Sequence, residues 1–208
     1  MLVLHYTGMR TCFAALDRLC DPAARVSAHY LIDEDGTVHG LVAEDRRAWH
    51  AGVSRWRGGR DVNGRSIGIE LVNPGHEFGY RAFADAQMDA LIALCAGILA
   101  RHPIPPRNVV GHSDVAPARK QDPGERFDWP RLAQRGIGLW PGSFAPLDVP
   151  RTDVLAMLGT YGYDTGADDA GAGAAVIAFQ RHFRPTRVDG MADAETAGRL
   201  AALLRLAG

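Results

Sequence analysis

The sequence has few cysteines, no long hydrophobic run and no excess of charge. Three cysteines without framework spacing exclude a disulfide-rich secreted scaffold and favour a reducing compartment, with Cys12, Cys20 and Cys95 as small core residues. The longest apolar stretch, residues 90–100, is shorter than the ~20 residues that a membrane-spanning helix needs. A formal net charge of -1 provides no general attraction for nucleic acid or anionic membranes.

Several common catalytic motifs are also missing. The chain has no phosphate-binding Walker loop, dinucleotide glycine fingerprint, Gly-x-Ser-x-Gly elbow or His-Glu-x-x-His motif, which disfavours NTPases, NAD enzymes and standard serine hydrolases. Lysine is almost absent: 22 of the 23 basic residues are arginine, and Lys120 is the single lysine. The first residues lack the basic segment and apolar length of a signal peptide. We therefore expect a cytoplasmic protein, or a periplasmic one if a leader has been removed.

Hydrophobic periodicity divides the chain into two parts. Strand patterns interspersed with two helical patterns predict an α/β domain over residues 1–140. A Pro- and Gly-containing linker follows over 141–150, and residues 151–208 carry only helical patterns, punctuated by glycines that include Gly159. The predicted strands are 1–6, 29–32, 38–42, 66–72 and 108–111, and the second and third of them form a hairpin about Asp35-Gly36. The predicted helices of the first domain are 11–19 and 85–101. The tail is predicted to be a small three-helix module, in which Val176, Phe179 and Phe183 fall on one apolar helical face.

Two histidines and an aspartate follow predicted strand ends. His5 lies at the end of the first strand. His112 directly follows the short strand 108–111, and Asp122 follows His112 by ten residues. Two imidazoles and one carboxylate form the kind of three-ligand site that catalytic zinc uses, with a fourth position for a water molecule. The alternative is that these are isolated structural or solvated histidines. Asp114 is an alternative ligand or a loop-capping residue.

A carboxylate within the apolar strand 66–72 supports the metal site. Glu70 shares a strand face with Gly68 and Val72, and a buried carboxylate is costly unless it is paired or functional. Gly68 indicates that another group approaches this face closely, whereas the alternative is a solvated edge strand. At a zinc site, Glu70 is suited to take a proton from the attacking water.

These residues stand within a series of motifs that resembles the zinc-dependent N-acetylmuramoyl-L-alanine amidases, a family related to the peptidoglycan recognition proteins. The resemblance covers residues 1 to about 140, and the tail resembles the three-helix peptidoglycan-binding module through Val176, Phe179-Gln180 and Val188-Asp189-Gly190. The amidase motifs are Leu4-His5-Tyr6-Thr7, Ser27-Ala28-His29-Tyr30, Ala48-Trp49-His50-Ala51-Gly52, Ser66-Ile67-Gly68-Ile69-Glu70-Leu71, Gly111-His112-Ser113-Asp114 and Arg119-Lys120-Gln121-Asp122-Pro123-Gly124.

The resemblance implies a fold, an activity and a set of residue roles. It implies a mixed central sheet flanked by helices, and cleavage of the amide bond between N-acetylmuramic acid, in its ordinary or 1,6-anhydro form, and the L-alanine of the stem peptide. His5, His112 and Asp122 would hold one zinc ion, Glu70 would activate water, and Lys120 would stabilise the developing oxyanion. It also implies a role in peptidoglycan recycling or turnover.

Other residues are candidates for substrate binding. Trp49, His50, Arg65 and Asn73 could contact muropeptide, although a tryptophan in such a domain is equally suited to packing. Arg55, Arg57, Arg60 and Arg65 belong to an arginine-rich stretch that could meet the carboxylates of an acidic stem peptide. The alternatives to an active amidase are a peptidoglycan-binding protein without catalysis and a nucleic-acid-binding protein. We expect a monomer that binds neither nucleic acid nor membrane.

Overall fold

A five-stranded mixed sheet forms the centre of the computed structural model, which describes residues 1–208. Its strands are β1 (Leu2–Tyr6), β2 (Tyr30–Ile32), β3 (Val38–Gly40), β4 (Ile67–Leu71) and β5 (Val109–Gly111). Their order in the sheet is β3-β2-β4-β1-β5, and only the β2–β3 pair is antiparallel. The predicted α/β fold class and the mixed sheet are confirmed.

Eight helices accompany the sheet. They are α1 (Cys12–Cys20), α2 (Gly75–Phe78), α3 (Asp85–Arg101), α4 (His112–Val115), α5 (Trp129–Ala133), α6 (Arg151–Tyr161), α7 (Asp169–Phe183) and α8 (Ala194–Ala207). The sequence predicts α1, α3 and the three C-terminal helices, but not the short helices α2, α4 and α5. None of the eight combines the length and the apolar character needed to cross a bilayer.

The position of β1 between two other strands explains its apolar sequence. Leu2, Val3 and Leu4 are fully buried, because β1 pairs in parallel with β4 on one side and β5 on the other. Parallel strands bring their carboxyl ends to one edge of the sheet. His5, near the end of β1, therefore lies close to the residues that follow β5.

The β2–β3 hairpin turns at Gly36, as the sequence predicts. Gly36 has a φ of +90°, and a Cβ there would lie 2.8 Å from the carbonyl oxygen of Ala86 at the start of α3. Gln87, in the same helical turn, donates its side-chain amide to the carbonyl oxygens of Ile32 and Val72. The hairpin, β4 and α3 are thereby fixed to one another.

The C-terminal helices pack directly on the sheet. Val3 and Val110 share one hydrophobic cluster with Leu158, Phe179 and Phe183. The predicted apolar face of the tail is confirmed, since its members Val176, Phe179 and Phe183 are buried. Of the glycines predicted to separate the helices of the tail, Gly162, Gly166 and Gly190 do so, whereas Gly159 lies within α6.

The cysteines are all free, but they do not share one environment. Cys95 is buried against the sheet on α3, as predicted for a core residue. Cys20 is exposed and Cys12 half-buried, because α1 lies on the surface with Ala15 as its one buried residue. The expectation of a core position is wrong for Cys20.

Candidate active site

Three buried side chains meet at the carboxyl edge of the sheet. His5 comes from β1, His112 is the first residue of α4 directly after β5, and Asp122 lies in the following loop. The Nδ1 atoms of His5 and His112 are 2.9 Å apart, and each lies 3.0 Å from Oδ2 of Asp122. The structure thus brings together the three residues that the sequence nominates as metal ligands.

The hydrogen bond of the His112 ring to the backbone defines its tautomer. Nε2 of His112 lies 3.0 Å from the carbonyl oxygen of Ala51, which can only accept. Nε2 therefore carries the proton and donates it. In the neutral ring Nδ1 then presents a lone pair to Asp122.

A chain of hydrogen bonds defines the tautomer of His5 in the same way. The Ser66 hydroxyl donates to the carbonyl oxygen of Val62, so it accepts from Nε2 of His50 at 3.2 Å. Nδ1 of His50 is then free to accept from Nε2 of His5 at 3.0 Å. Nδ1 of His5 consequently also presents a lone pair.

This arrangement fits a bound divalent cation. Two imidazole lone pairs and a carboxylate oxygen lie within 3.0 Å of one another, and neither Nδ1 carries a proton to relieve their repulsion. A cation at their meeting point would satisfy all three donors, and nitrogen and oxygen donors with both rings fixed from behind are typical of catalytic zinc sites. The donor set therefore passes the chemical test for a metal centre.

Burial keeps the ring of His5 in its ligand form. Burial, reinforced by His112, lowers the pKa of His5 to about 4, so its ring is neutral at neutral pH. The backbone N–H of Ser113 also donates to the carbonyl oxygen of Asp122 at 2.9 Å, which joins the two ligand-bearing segments.

Glu70 lies beside the cluster with one oxygen unsatisfied. It pairs in register with His5 across β4 and β1, so both side chains leave the same face of the sheet. Its Oε2 atom is buried without a hydrogen-bond partner, and burial, followed by the charge of Asp122, raises its pKa well above the usual value. A buried acceptor with a raised pKa is suited to accept a proton near neutral pH.

Gly68 allows a ring to lie against the same face, as the sequence predicts. A Cβ at Gly68 would lie 2.4 Å from the ring of His50. His50 is buried, and both of its ring nitrogens are hydrogen-bonded. His50 is therefore placed to hold the ring of His5 in position through the hydrogen bond between them.

A surface groove opens over the cluster. Its lining includes Tyr6, Trp49, Glu70 and Lys120. Trp49 is 54% exposed, and the guanidinium of Arg47 stacks 4.3 Å from the centre of its ring. Lys120 forms no ion pair with a carboxylate, so its ammonium group is available to a ligand in the groove.

Two of the four predicted substrate contacts lie away from the groove. Arg65 is at the amino end of β4, beside the chain terminus and at the opposite edge of the sheet. Asn73 is buried, accepts from the backbone of Gly75 and donates to the carbonyl oxygen of Arg81. Neither residue is brought to the cluster of His5, His112 and Asp122.

Three of the four predicted arginines, Arg55, Arg57 and Arg60, lie beside the loop between α6 and α7 instead of lining the groove. Arg55 lies 3.5 Å from the carboxylate of Asp164, and Arg57 donates its backbone N–H to the carbonyl oxygen of Gly162. Arg60 lines a separate surface depression with Arg55 and Asp164. These residues are placed to join the two parts of the chain.

Two supporting residues were missed by the sequence analysis. Asn63 accepts the backbone N–H groups of His50 and Ala51 at 3.1 and 2.8 Å, which fixes the loop that caps His112. Arg119 donates to the carbonyl oxygens of Ala51 and Val53 from the other side. A single Asn or Arg in a polar loop carries no sequence signal for such contacts.

Comparison with known families and structures gives a consistent result. A family model described as "N-acetylmuramoyl-L-alanine amidase" matches residues 1–125, and one described as "Putative peptidoglycan binding domain" matches residues 152–200. The chain is 41% identical to the N-acetylmuramoyl-L-alanine amidase AmiD of Escherichia coli, over 98% of this chain and 82% of AmiD. The 1,6-anhydro-N-acetylmuramyl-L-alanine amidase AmpD of Escherichia coli is 46% identical over 52% of this chain and 56% of AmpD.

Two solved complexes are similar over almost the whole chain. Escherichia coli AmiD with the substrate anhydro-N-acetylmuramic acid-L-Ala-D-gamma-Glu-L-Lys has a TM-score of 0.90 and 42% identity, covering 99% of this chain and 88% of AmiD. AmpDh3 of Pseudomonas aeruginosa with anhydromuramic pentapeptide has a TM-score of 0.89 and 38% identity, covering 99% of this chain and 91% of that chain. The similarity therefore includes the C-terminal helices.

Proposed function

The chain belongs to the N-acetylmuramoyl-L-alanine amidase family, and from this membership we propose that it cleaves the amide bond between N-acetylmuramic acid, including its 1,6-anhydro form, and the L-alanine of the stem peptide. The observation that carries the proposal is the meeting of two imidazole lone pairs, a carboxylate and the unsatisfied Glu70 at one end of a groove. The alternative of a non-catalytic binding protein is disfavoured, because every residue that hydrolysis requires is in place.

We propose that the resident metal is zinc. Nδ1 of His5, Nδ1 of His112 and a carboxylate oxygen of Asp122 would hold it, and the donor set matches zinc in type and number. When bound, zinc supplies a Lewis acid that polarises the scissile carbonyl and acidifies water. His50 and the Ala51 carbonyl oxygen keep the two rings in the ligand tautomer.

Glu70 would serve as the general base and then as the general acid. Its carboxylate would accept a proton from the attacking water as the water oxygen bonds to the carbonyl carbon. The same proton would pass to the alanine nitrogen as the C–N bond breaks, which yields a free amine and a carboxylic acid. The raised pKa of Glu70 suits both steps, because the group must hold the proton between them.

Lys120 would stabilise the charge that forms on the carbonyl oxygen. Its ammonium lines the groove without a carboxylate partner, and its positive charge opposes the rise in the pKa of Glu70. A compact ammonium approaches an oxyanion closely, whereas the planar guanidinium of the 22 arginines imposes a wider geometry. Trp49 is proposed to contact the sugar or the first residues of the peptide.

We also propose a role for each part of the chain. Residues 1–140 would form the catalytic part, and 151–208 a three-helix module joined to it by residues 141–150, in line with the two family matches. One chain supplies every ligand and the base, so a monomer would be sufficient. Two places of action are compatible with this proposal: the cytoplasm, on soluble muropeptides, and the periplasm, on intact wall. The preference of the enzyme for one of these substrates distinguishes them.

The test compares zinc-loaded and chelated protein on soluble anhydromuropeptide and on purified sacculi. We expect loaded protein to release free stem peptide and chelated protein to release none. Failure of the loaded protein to release stem peptide from either substrate would overturn the proposed function. Faster release from the soluble fragment supports recycling, and faster release from sacculi supports wall remodelling.

A further inference from the structure

The turn that carries His112 is anchored by a fully buried carboxylate. Asp114, two residues after His112 in α4, is 0% exposed. Its Oδ2 atom accepts the backbone N–H of Gly111 and Nδ1–H of His182, both at 2.7 Å, and its Oδ1 atom accepts the hydroxyl of Tyr163 at 2.6 Å. Three donors therefore offset the cost of burying this charge.

Two of these three donors belong to the C-terminal region. Tyr163 lies in the loop between α6 and α7, and His182 lies near the end of α7. The His182 ring is held between the rings of Trp129 and Phe183, with centroids 3.6 and 3.7 Å away. Both residues are buried, so packing against their neighbours also holds them in place.

The anchored turn determines where two metal-ligating side chains stand. The Asp114 carboxylate caps Gly111, which directly precedes His112. The next residue, Ser113, donates its backbone N–H to the carbonyl oxygen of Asp122. A shift of this turn would therefore move the imidazole of His112 and the carboxylate of Asp122 together.

We propose that the C-terminal helices brace the metal centre, with Tyr163, His182 and Asp114 as positioning residues. This role is distinct from the wall binding for which the helical family is named, and it rests on the proposed function only in taking His112 and Asp122 as ligands. The helices would contribute to metal affinity in the absence of any substrate.

The test measures zinc affinity by chelator competition in the full-length protein, without substrate. Tyr163→Phe removes one donor and His182→Phe removes the other while keeping a flat ring in the stack. Tyr161→Phe is the matched control, because Tyr161 is buried at the same interface and its hydroxyl makes no hydrogen bond. His182→Asn returns an N–H close to the position of Nδ1.

We expect the double variant Tyr163→Phe/His182→Phe to raise the zinc dissociation constant about 10-fold, with a smaller rise for each single variant. His182→Asn should recover much of the loss that His182→Phe causes, and Tyr161→Phe should bind as the wild type does. The rise in Tm that zinc produces should also shrink in the double variant, because that rise depends on affinity.

Wild-type zinc affinity in the variants would overturn the proposal, and so would a fall in Tm that is equal with and without zinc. If the double variant does not fold, Tyr163→Phe alone decides, since it removes a single oxygen atom. The outcome is independent of catalysis. A wild-type protein that binds zinc but releases no stem peptide would refute the proposed function and leave this inference standing.

Discussion

His5 and Glu70 occupy paired positions on adjacent parallel strands, so that the imidazole of a proposed metal ligand and a buried, unsatisfied carboxylate project side by side from one face of the sheet. The spacing of the pair is set by the sheet itself, which is more rigid than a loop. The groups proposed to act on water and on the scissile carbonyl are thereby held in position before substrate binds.

Replacing Glu70 by Gln removes the base and keeps the shape of the side chain. We expect kcat to fall by about 10²–10⁴-fold, because proton transfer to a positioned carboxylate contributes that much. Zinc content should stay at the wild-type value, since Glu70 is not a ligand in this arrangement. Stem-peptide release and metal analysis measure the two effects. Glu34→Gln, in the hairpin turn and outside the groove, is the control. A Glu70→Gln enzyme with wild-type kcat would contradict the assignment.

Lys120→Arg keeps the charge but changes its shape. We expect zinc to bind normally and kcat to fall by about 10²–10³-fold, the effect of removing one oxyanion donor elsewhere. KM should change much less, because the contact forms in the transition state. Steady-state kinetics on anhydromuropeptide separate kcat from KM. Arg135→Lys, at an exposed position, controls for the exchange itself, and near-wild-type kcat in Lys120→Arg would remove Lys120 from the mechanism.

Gly68→Ala places a methyl group where the ring of His50 lies. The new Cβ would be 2.4 Å from that ring, so His50 must move and release Nε2–H of His5. We expect zinc affinity to fall by about 10–100-fold, the usual cost of losing such a support. Gly173→Ala is the control, because a Cβ there meets nothing within 4 Å. Chelator competition measures both variants, and unchanged affinity in Gly68→Ala would show that His50 does not orient His5.

The acid stability of the fold should depend on Glu44. Arg101, then Tyr30 and His102, donate to its carboxylate and lower its pKa to about 2. A group whose pKa is lower in the folded state contributes stability above its unfolded pKa of about 4.3, and that contribution is lost as the pH falls toward 2. Glu44→Gln should therefore lower Tm more at pH 7 than at pH 2.5.

Circular dichroism melts of the wild type, Glu44→Gln and the control Asp17→Asn measure this difference. Asp17 is exposed and forms no ion pair, so its substitution should leave Tm nearly unchanged at both pH values. A Tm difference between wild type and Glu44→Gln that is the same at pH 7 and pH 2.5 would contradict the role of Glu44.

The sequence predicts local features of the site well. The two-residue repeat of strand 66–72 identifies Glu70 as a carboxylate on a buried face, and Gly68 correctly indicates the close approach of another group. Both follow from the alternation of side chains along a strand, which needs no knowledge of neighbouring segments. The apolar face of α7 is also predicted from local sequence, because the helical period alone defines it.

Features that depend on distant contacts were not predictable. Asp114 is a turn cap, as the sequence suggests, but its bonds to Tyr163 and His182 join residues 49 and 68 positions away. Arg65, as a member of the arginine-rich stretch, and Asn73 are predicted to contact the substrate. The sheet lies between Arg65 and the groove. The side chain of Asn73 forms its hydrogen bonds with the backbone of the segment that follows β4. Neither placement is visible in a linear sequence.

The most direct test of a metal-dependent amidase is a zinc titration of metal-free protein, followed by release of stem peptide from anhydromuropeptide. We expect no activity without metal, a linear rise with added zinc and a plateau at one equivalent per chain. His112→Ala, which removes one ligand, should show no such plateau. Full cleavage by metal-free protein, or a wild-type titration curve from His112→Ala, would contradict the metal site formed by His5, His112 and Asp122.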